Sequence, residues 1–328
     1  MEGSAKVSSI LVYPIKSCRG ISVSQAPLTP TGFRWDRQWI LVNNKGRAYT
    51  QRNESKLALV QVELPNEAFS DGWEPTKSSY MAIRAPGMDV LKISLSRPRD
   101  VTDGVSVWEW SGSALDEGAE AANWFTNYIG KSSRLVRFDA ASQTRPVDPA
   151  YARGHKVMFS DHYPFMLLSQ ESLDALNKLL KEPVPINRFR PNFVVEGCGP
   201  FSEDLWTEVR ISKFTFQGVK LCSRSKIPTI NQDTGIAGSE PNDTLMKFRS
   251  DKVLLPNRKQ QGKVRFASKT FNRDLLLHNN NNVFRLQVYF GQNLVCKDNL
   301  TKGKGNIVKV GDPVFVLRKI SSAAEAAA

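Results

Sequence analysis

Short runs of β-branched and aromatic residues, each bounded by a turn, fill most of the first third of the chain. The stretch RQWILVNNKGRAYTQR has two apolar runs around an Asn-Asn-Lys-Gly turn, which is the pattern of a β-hairpin. The stretches LALVQVEL, MAIRAPGMDVLKISL and DGVSVWEW continue this pattern. Strands of this kind must bury their apolar faces in a packed sheet or a barrel. We therefore predict a β-rich, barrel-like N-terminal domain.

Two segments have helical rather than strand periodicity. In SALDEGAEAANWFTNYIGK the apolar residues recur at helical spacing, and Gly130 follows the last of them. In SQESLDALNKLLKEP, Ser169 can cap a helix with a leucine face before Pro183 stops it. A shorter helix is expected in NDTLMKFRS, two closing strands in NIVKVGDPVFVLRK, and a disordered tail over 320–328. The predicted fold class is mixed α+β, mainly β.

The composition excludes several classes of protein. The chain carries a formal net charge of +13 and has a pI near 9.6, which favours anionic partners. Its Lys and Arg residues are spread out, and no nucleic-acid-binding pattern occurs, so we expect no nucleic-acid partner. Four scattered cysteines argue against a disulfide framework, and three histidines are too few for a His-rich metal site. No apolar run is long enough for a transmembrane helix or a secretory signal.

The stretch VRFASKTFNRDLLLHNNNNVFRLQ, residues 264–287, interrupts the approach to the strand-like VYFGQNLV. It has four consecutive asparagines and no periodicity, which is typical of an insertion in a loop. Its first residues can be encoded by a sequence that begins GTAAG and its last by one that ends in CAG, as at splice boundaries. We therefore predict a retained intron that is translated in frame; an ordinary variable loop is the alternative.

Five polar, cationic stretches lie far apart in the sequence. They are YPIKSCRG, GFRWDRQW, FSDHYPFMLLS, NRFRPNFVV and VKLCSRSKIPTINQDTG. Arg and Lys bind phosphate through charge-assisted hydrogen bonds, and Ser and Asn can complete such a shell. If the five stretches converge in the fold, they form a pocket for a large, polar, anionic ligand. Neither a dinucleotide-binding glycine loop nor a phosphate loop is present.

Together with YFGQN and the closing VGDPVFVL, these motifs resemble, in the same order, those of MOSC-domain proteins. The resemblance is greatest to plant members of the mitochondrial amidoxime-reducing component family. It covers residues 6–319 apart from 264–287. It implies an N-terminal β-barrel domain, which we place at residues 1–130, followed by a MOSC β-barrel domain with a few helices at residues 131–319.

The same resemblance implies a molybdenum cofactor, in which a pterin dithiolene with a phosphate tail carries the metal between the two domains. It also implies reduction of N-hydroxylated compounds such as amidoximes and hydroxylamines, and in some members of nitrite. The implied electron donors are NADH-cytochrome b5 reductase and cytochrome b5. Matched by position, the cofactor contacts fall on Lys16, Ser17, Arg37, Ser160, Asp161, Arg190, Asn192, Ser223 and Arg224.

The position of the metal ligand falls on Ser225, where the sequence departs from the family. The family has Cys-Ser-Arg-Cys, whereas this chain has Cys-Ser-Arg-Ser, and Cys222 is expected to point to the opposite face of the strand. A thiolate is a soft, strong ligand, whereas the alkoxide of serine is much harder to form.

Three alternatives stay open for Ser225. The cofactor binds through its pterin alone, Ser225 ligates the metal with altered chemistry, or the serine is an engineered or erroneous replacement of cysteine. We expect lost or strongly reduced activity with an intact fold, because Cys→Ser is nearly isosteric.

A second class of function is a carrier module that holds the molybdenum cofactor without turnover, related to the C-terminal part of molybdenum-cofactor sulfurase. A thioredoxin-like Cys-x-x-Ser site is disfavoured, because that motif normally opens a helix. Animal members of the family carry an N-terminal membrane anchor that is not recognisable in this sequence. We therefore expect a cytoplasmic monomer, with the mitochondrion or another organelle as the alternative location.

Overall fold

The computed structural model describes residues 5–98, 100–255, 287–300, 305–322 and 325–326. Within these residues the chain forms twenty strands and five α-helices. The strands are β1 Ala5–Val12, β2 Ile21–Val23, β3 Gln25–Thr29, β4 Gly32–Phe33, β5 Trp39–Val42, β6 Gln61–Glu63, β7 Tyr80–Arg84, β8 Leu91–Ser94, β9 Val101–Val107, β10 Trp110–Asp116, β11 Arg134–Arg137, β12 Arg145–Pro146, β13 Lys156–Val157, β14 Phe165–Ser169, β15 Phe193–Glu196, β16 Trp206–Ile211, β17 Phe214–Ser223, β18 Tyr289–Cys296, β19 Ile307–Lys309 and β20 Pro313–Lys319.

The helices are α1 Ala119–Ile129, α2 Pro149–Ala152, α3 Gln170–Asn177, α4 Asn242–Phe248 and α5 Asp251–Leu254. Short 3-10 turns occupy Ser55–Leu59, Asn66–Phe69, Ile186–Arg188, Ser202–Leu205 and Ile227–Thr229. The predicted class, mixed α+β and mainly β with a few helices, is confirmed.

Seven strands close into a barrel in the order β15-β14-β18-β17-β16-β20-β1, and β1 pairs back onto β15 to complete the ring. The neighbours are antiparallel except β14 and β15, which are parallel and are connected through α3. A parallel pair needs such a crossover, because a tight hairpin can join only antiparallel strands.

Aromatic side chains fill the barrel. Phe165, Phe193 and Phe216 are buried, and their ring centroids lie 5.4–5.6 Å apart. Phe33 of β4 joins them at 4.9 Å from Phe193 and 5.1 Å from Phe165. Edge-to-face pairs of this kind add about 0.5–1.5 kcal/mol each to the burial of apolar area. A residue from the N-terminal region is thus part of the barrel core.

Strands also link the two ends of the sequence. The N-terminal β1 lies in the barrel, while β19, near the C-terminus, pairs with β3 in a three-stranded sheet with β4. Strand β2 pairs with β1, strands β6, β7 and β8 form a three-stranded sheet, and β5, β9 and β10 form a four-stranded sheet with β11 in the order β5-β11-β10-β9. The halves of the chain are therefore joined by shared strands on both sides of the predicted boundary at residue 130, which itself stays a prediction.

The predicted helices form with shorter bounds than the sequence indicates. Helix α1 ends at Ile129 and is followed by Gly130, which has a left-handed φ of 71°, but it begins only at Ala119 because the preceding strand β10 pairs with β9. The Ser169 hydroxyl caps α3 by accepting a hydrogen bond from the Ser172 N–H at 3.0 Å. Among the described residues, no helix has the length and apolar content needed to cross a membrane.

The predicted insertion, 264–287, lies outside the described residues except for Gln287. The two chain ends that flank it are held together. The Asp251 N–H donates to the Gln287 carbonyl at 3.0 Å, the Gln287 N–H donates to the Asp251 carboxylate at 3.2 Å, and Ser250 bridges to Val288. Strand β18 then pairs with β14 and β17. The barrel therefore closes across the point where the extra segment enters.

Deletion of residues 264–286 should leave the fold intact. Asp251 and Gln287 already meet, so the change shortens the connection between them about threefold, which is worth about 1 kcal/mol in favour of folding by chain entropy. The measurement is the free energy of unfolding in urea. A variant with the same segment in scrambled order is the matched control and should unfold like the parent chain. A deletion variant that fails to fold would show that the segment contributes to the core.

Candidate functional site

The Tyr13 ring, at the end of β1, lies between two guanidinium groups. The guanidinium carbon of Arg37 is 4.2 Å from the ring centroid and that of Arg190 is 4.3 Å from it. The Tyr13 hydroxyl donates to the Pro191 carbonyl at 3.1 Å, and the side chain is buried. Cation–π contacts are stronger where the ring is desolvated. Tyr13 thus brings together arginines that are distant in sequence.

Asp36 neutralises part of this positive charge. Its carboxylate is 1% exposed and accepts hydrogen bonds from Arg37 Nη1 at 2.6 Å and from the Tyr13 N–H at 2.8 Å. The Arg37 guanidinium also donates to Asn192 Oδ1 at 3.1 Å and to the Arg190 carbonyl at 3.2 Å. Arg37 is therefore held by several partners before any ligand binds.

Asn192 connects three parts of the fold. Its Oδ1 accepts from Arg37 and from the Met166 N–H at 3.3 Å, and its Nδ2 donates to the Leu11 carbonyl at 3.2 Å. The side chain is buried. The sequence predicts Asn192 as a cofactor contact; in the structure it positions Arg37 and joins β1 to β14.

A second buried cation, Lys16, is paired with the carboxylate of Asp161. Its buried ammonium donates to the Phe159 carbonyl at 2.7 Å and to Asp161 Oδ1 at 2.5 Å. Burial lowers the pKa of Lys16 to about 8, although Asp161 opposes the shift. Burial raises the pKa of Asp161, but the Lys16 and Arg52 cations outweigh it and hold that pKa well below its usual value. Both groups are charged at neutral pH, and Lys16 loses its charge as the pH rises through about 8.

The loop around Asp161 is fixed by groups that the sequence does not single out. Arg145 is buried and donates to the carbonyls of Met158, Ser160 and Asp161. The Trp108 indole N–H donates to Asp161 Oδ1 at 3.1 Å. The Ser160 hydroxyl is buried and has no hydrogen-bond partner among the described residues.

Ser17 lies where the first stretch meets the QDTG loop. Its carbonyl accepts from Gln51 Nε2 at 2.7 Å, and the Gln51 and Gln232 side-chain amides exchange two hydrogen bonds of 3.0 Å. Arg19 reinforces the contact by donating to the Gln232 carbonyl and the Asp233 carboxylate, both at 2.6 Å. The N-terminal region and the loop that follows β17 are thus tied together at the site.

The Cys-Ser-Arg-Ser motif forms the end of β17 and the turn after it. Arg224 donates to the Phe189 carbonyl at 2.5 Å and to Cys222 Sγ at 2.9 Å, which joins this motif to the arginine-rich stretch. The Ser225 hydroxyl accepts from the Ile227 N–H at 3.3 Å. Cys222 packs against the cluster that contains Phe189, and Ser223 is exposed.

Three of the predicted contact residues have a strained backbone. Ser17, Arg37 and Arg190 have φ values of 70°, 47° and 57°, in the left-handed region that favours glycine. Such conformations persist only where the surrounding structure imposes them, and they cluster at functional sites. The strain therefore supports a functional role for this part of the fold.

Several buried polar atoms around the site have no hydrogen-bond partner among the described residues. They are Arg19 Nε, Ser160 Oγ, Asn187 Oδ1, Arg190 Nη2, Arg224 Nε and Asn242 Oδ1. Burial lowers the pKa of Arg190 to about 10, with Arg37 adding to the effect and Tyr13 opposing it. An unpaired buried donor costs about 1–3 kcal/mol, and more when it is charged. We call the three arginines around Tyr13, which are Arg37, Arg190 and Arg224, together with Lys16 the cationic cluster, and its charge suits a polar anionic ligand.

The structure brings the predicted stretches together, but it uses residues that sequence reasoning missed. Tyr13 is the first residue of YPIKSCRG, but a tyrosine at the end of a strand is typical of a core residue and gives no sign of a functional role. Arg145 belongs to no motif that we recognised, and Gln51, which pairs with Gln232 of the QDTG loop, is identified in the sequence only as the end of a β-hairpin. Among the described residues, no group of three or more His, Cys, Asp or Glu side chains could hold a metal ion.

Asp36→Asn should lower the free energy of unfolding by about 2–4 kcal/mol, because it removes the carboxylate charge that compensates a nearly buried guanidinium. Chemical denaturation measures the effect. The control is Glu63→Gln, which breaks an exposed ion pair with Arg84 and should cost less than about 1 kcal/mol. Equal losses in the two variants would contradict the role given to Asp36.

Two family models match the chain. The model described as the MOSC N-terminal beta barrel domain matches residues 4–132, and the MOSC domain model matches residues 154–315. Mitochondrial amidoxime reducing component 2 of Rattus norvegicus is 35% identical over 74% of this chain and 72% of its own length. Mitochondrial amidoxime-reducing component 1 of Homo sapiens is 28% identical over 95% of this chain and 82% of its own length.

Molybdenum cofactor sulfurase of Oryza sativa subsp. japonica is 30% identical over 75% of this chain, but over only 31% of its own length. The matching part of that longer protein therefore corresponds to most of the present chain. From the two domain matches and the identity to the rat relative, the chain belongs to the MOSC-domain family that includes the mitochondrial amidoxime reducing components.

Proposed function

We propose that the cationic cluster binds a molybdenum cofactor and that the protein reduces N-hydroxylated compounds. The observation that carries the proposal is the set of unpaired buried donors, chiefly Arg190 Nη2 and Arg224 Nε, and the charged Lys16 of the stretch that begins with Tyr13 adds to it. A phosphate-tailed pterin would supply the negative charge and the acceptors that these donors lack. The names of the relatives, which refer to amidoxime reduction and to the molybdenum cofactor, support the same choice of ligand.

The residues divide into binding and positioning groups. Lys16, Arg190 and Arg224 would hold the anionic part of the cofactor, with the Ser160 hydroxyl as a further donor and Ser17 and Ser223 nearby in the chain. Asp36 and Asn192 hold Arg37 in place, and Asp161 holds Lys16. When bound, the molybdenum centre supplies two-electron redox chemistry.

The proposed reaction takes an amidoxime, two electrons and two protons to an amidine and water, and the N–O bond is broken. Hydroxylamines follow the same balance, and nitrite is a further proposed substrate. We propose that the electrons come from NADH through NADH-cytochrome b5 reductase and cytochrome b5. The net charge of +13 supports this donor, because complementary charge speeds the encounter with an acidic partner.

Ser225 limits this function. Its hydroxyl accepts a hydrogen bond from the Ile227 N–H. A serine alkoxide, which is the form that would ligate a metal, forms far less readily than a cysteine thiolate. We propose that the chain keeps the cofactor pocket but has reduced metal binding and turnover.

Ser225→Cys should raise both molybdenum per chain and the rate of amidoxime reduction by about tenfold or more. Loss of even a group that hydrogen-bonds to a metal ligand lowers metal affinity or activity by at least about that factor. Metal analysis and NADH oxidation with both cytochrome b5 components measure the two effects. Ser239→Cys places a thiol on an exposed serine and should change neither value.

The carrier function is the second candidate, because the serine at position 225 and the similarity to the sulfurase both favour it. Equal molybdenum in the parent chain and Ser225→Cys, with no amidoxime reduction by either, would contradict the oxidoreductase proposal and favour the carrier.

A further inference from the structure

Exposed apolar side chains concentrate at one place on the surface. Val310, Phe315, Val316 and Leu317 are 41–43% exposed and lie in β20 and the turn before it. The other large exposed apolar side chains, such as Leu179, are scattered along the described chain. Single exposed apolar residues are normal, whereas a contiguous group marks an interaction surface.

Phe315 and Leu317 lie on the face of β20 opposite the buried Val314, and from Phe315 onward the residues on both faces of the strand are exposed. Successive side chains of a strand point to opposite faces, and the neighbouring Val314 is buried in the barrel core. Arg210 of β16 pairs directly with Phe315, and its guanidinium carbon lies 4.9 Å from the centroid of the ring. Phe315 and the cationic Arg210 therefore share one exposed surface.

Further cations surround these residues. Lys319 follows Leu317 on the same face of β20, and Lys309 directly precedes Val310. Lys213 lies in the turn next to β20, because the adjacent Ser212 N–H donates to the Pro313 carbonyl at 3.2 Å. We call this surface the β20 face, defined by Val310, Phe315, Leu317, Arg210, Lys213, Lys309 and Lys319.

The charges of the β20 face are uncompensated within the described part of the chain. The nearest strand carboxylate, Glu208, is already paired with Lys297 at 3.2 Å and with Arg318 at 3.7 Å. Asp312 accepts a hydrogen bond from the backbone N–H of Lys309. Across the described residues, the four cations of the face form no ion pair with a carboxylate.

We propose that the β20 face docks on an anionic lipid surface. The three apolar side chains would enter the headgroup boundary, and the four cations would meet the lipid phosphates and carboxylates. Peripheral binding needs two signals of this kind, apolar insertion and cationic attraction. The net charge of +13 adds a long-range attraction. The proposal does not depend on the cofactor.

Binding of the full chain to vesicles tests the proposal. We expect cosedimentation with phosphatidylcholine vesicles that contain about one quarter phosphatidylserine, weaker binding to pure phosphatidylcholine, and a loss of binding as salt is raised. Lys213→Gln with Lys309→Gln should lower the partition coefficient roughly 25-fold, from about fivefold per basic residue. Phe315→Ser with Leu317→Ser should lower it roughly tenfold.

Leu179→Ser is the matched control, because Leu179 is 59% exposed and lies just after α3, outside the β20 face. It should bind vesicles like the parent chain. Equal binding to neutral and anionic vesicles, or unchanged binding in both double variants, would overturn the proposal. Concentration-dependent dimerisation that Phe315→Ser with Leu317→Ser abolishes would overturn it in favour of an interface between copies of the chain.

Discussion

Two guanidinium groups packed against one buried phenol ring determine the geometry of the site. Tyr13 positions Arg37 and Arg190 on its ring, and Asp36 compensates only one of these charges. The Tyr13 ring leaves no space for a side chain at position 20, since a Cβ on Gly20 would lie 2.4 Å from Tyr13 Cε1. Arg190 therefore keeps a buried donor unpaired, an unfavourable state that an anionic ligand can relieve.

The shared strands explain how such a site can be held in place. The strand β1 leads directly from the barrel to Tyr13, and β19 returns the C-terminal part of the chain to the N-terminal sheet with β3. The exchange of hydrogen bonds between Gln51 and Gln232 joins the two regions again beside Ser17. Strained backbone positions persist where several contacts fix the same residue. The site lies at such a place, on strands and on tight turns that adjoin them.

The sequence predicts the type of most elements, because strand alternation, helix caps and turn residues are local signals. It predicts the first and last residues of an element less well, because tertiary contacts decide where the element ends. Helix α3 ends at Asn177 rather than near Pro183, since the Asn177 amide exchanges hydrogen bonds with the backbone of Val184. The closure of the barrel by β1 and β15 joins residues too distant for any local pattern.

The same distinction applies to the site. Motif resemblance assigns Lys16, Arg190 and Arg224 as cofactor contacts, an assignment that stays a prediction; Arg190 and Arg224 carry unpaired buried nitrogens, and Lys16 is paired with Asp161. The resemblance does not separate residues that bind a ligand from residues that position them. Asn192 is an example, because both polar atoms of its side-chain amide form hydrogen bonds within the fold, which only the structure shows. Arg145 fixes the loop around Asp161 by donating hydrogen bonds to three backbone carbonyls, and contacts with the backbone leave no pattern in the sequence.

The most direct test is the amount of pterin that copurifies with the full chain from a host that makes the molybdenum cofactor. Oxidation to a fluorescent pterin gives the content per chain. We expect pterin in the parent chain, and at least about tenfold less in Arg190→Gln, from the loss of charge-assisted hydrogen bonds. Lys92→Gln, which removes a cation over the exposed Tyr80 ring, should keep the pterin content of the parent chain. Absence of pterin from the parent chain, or an unchanged content in Arg190→Gln, would contradict cofactor binding at the cationic cluster.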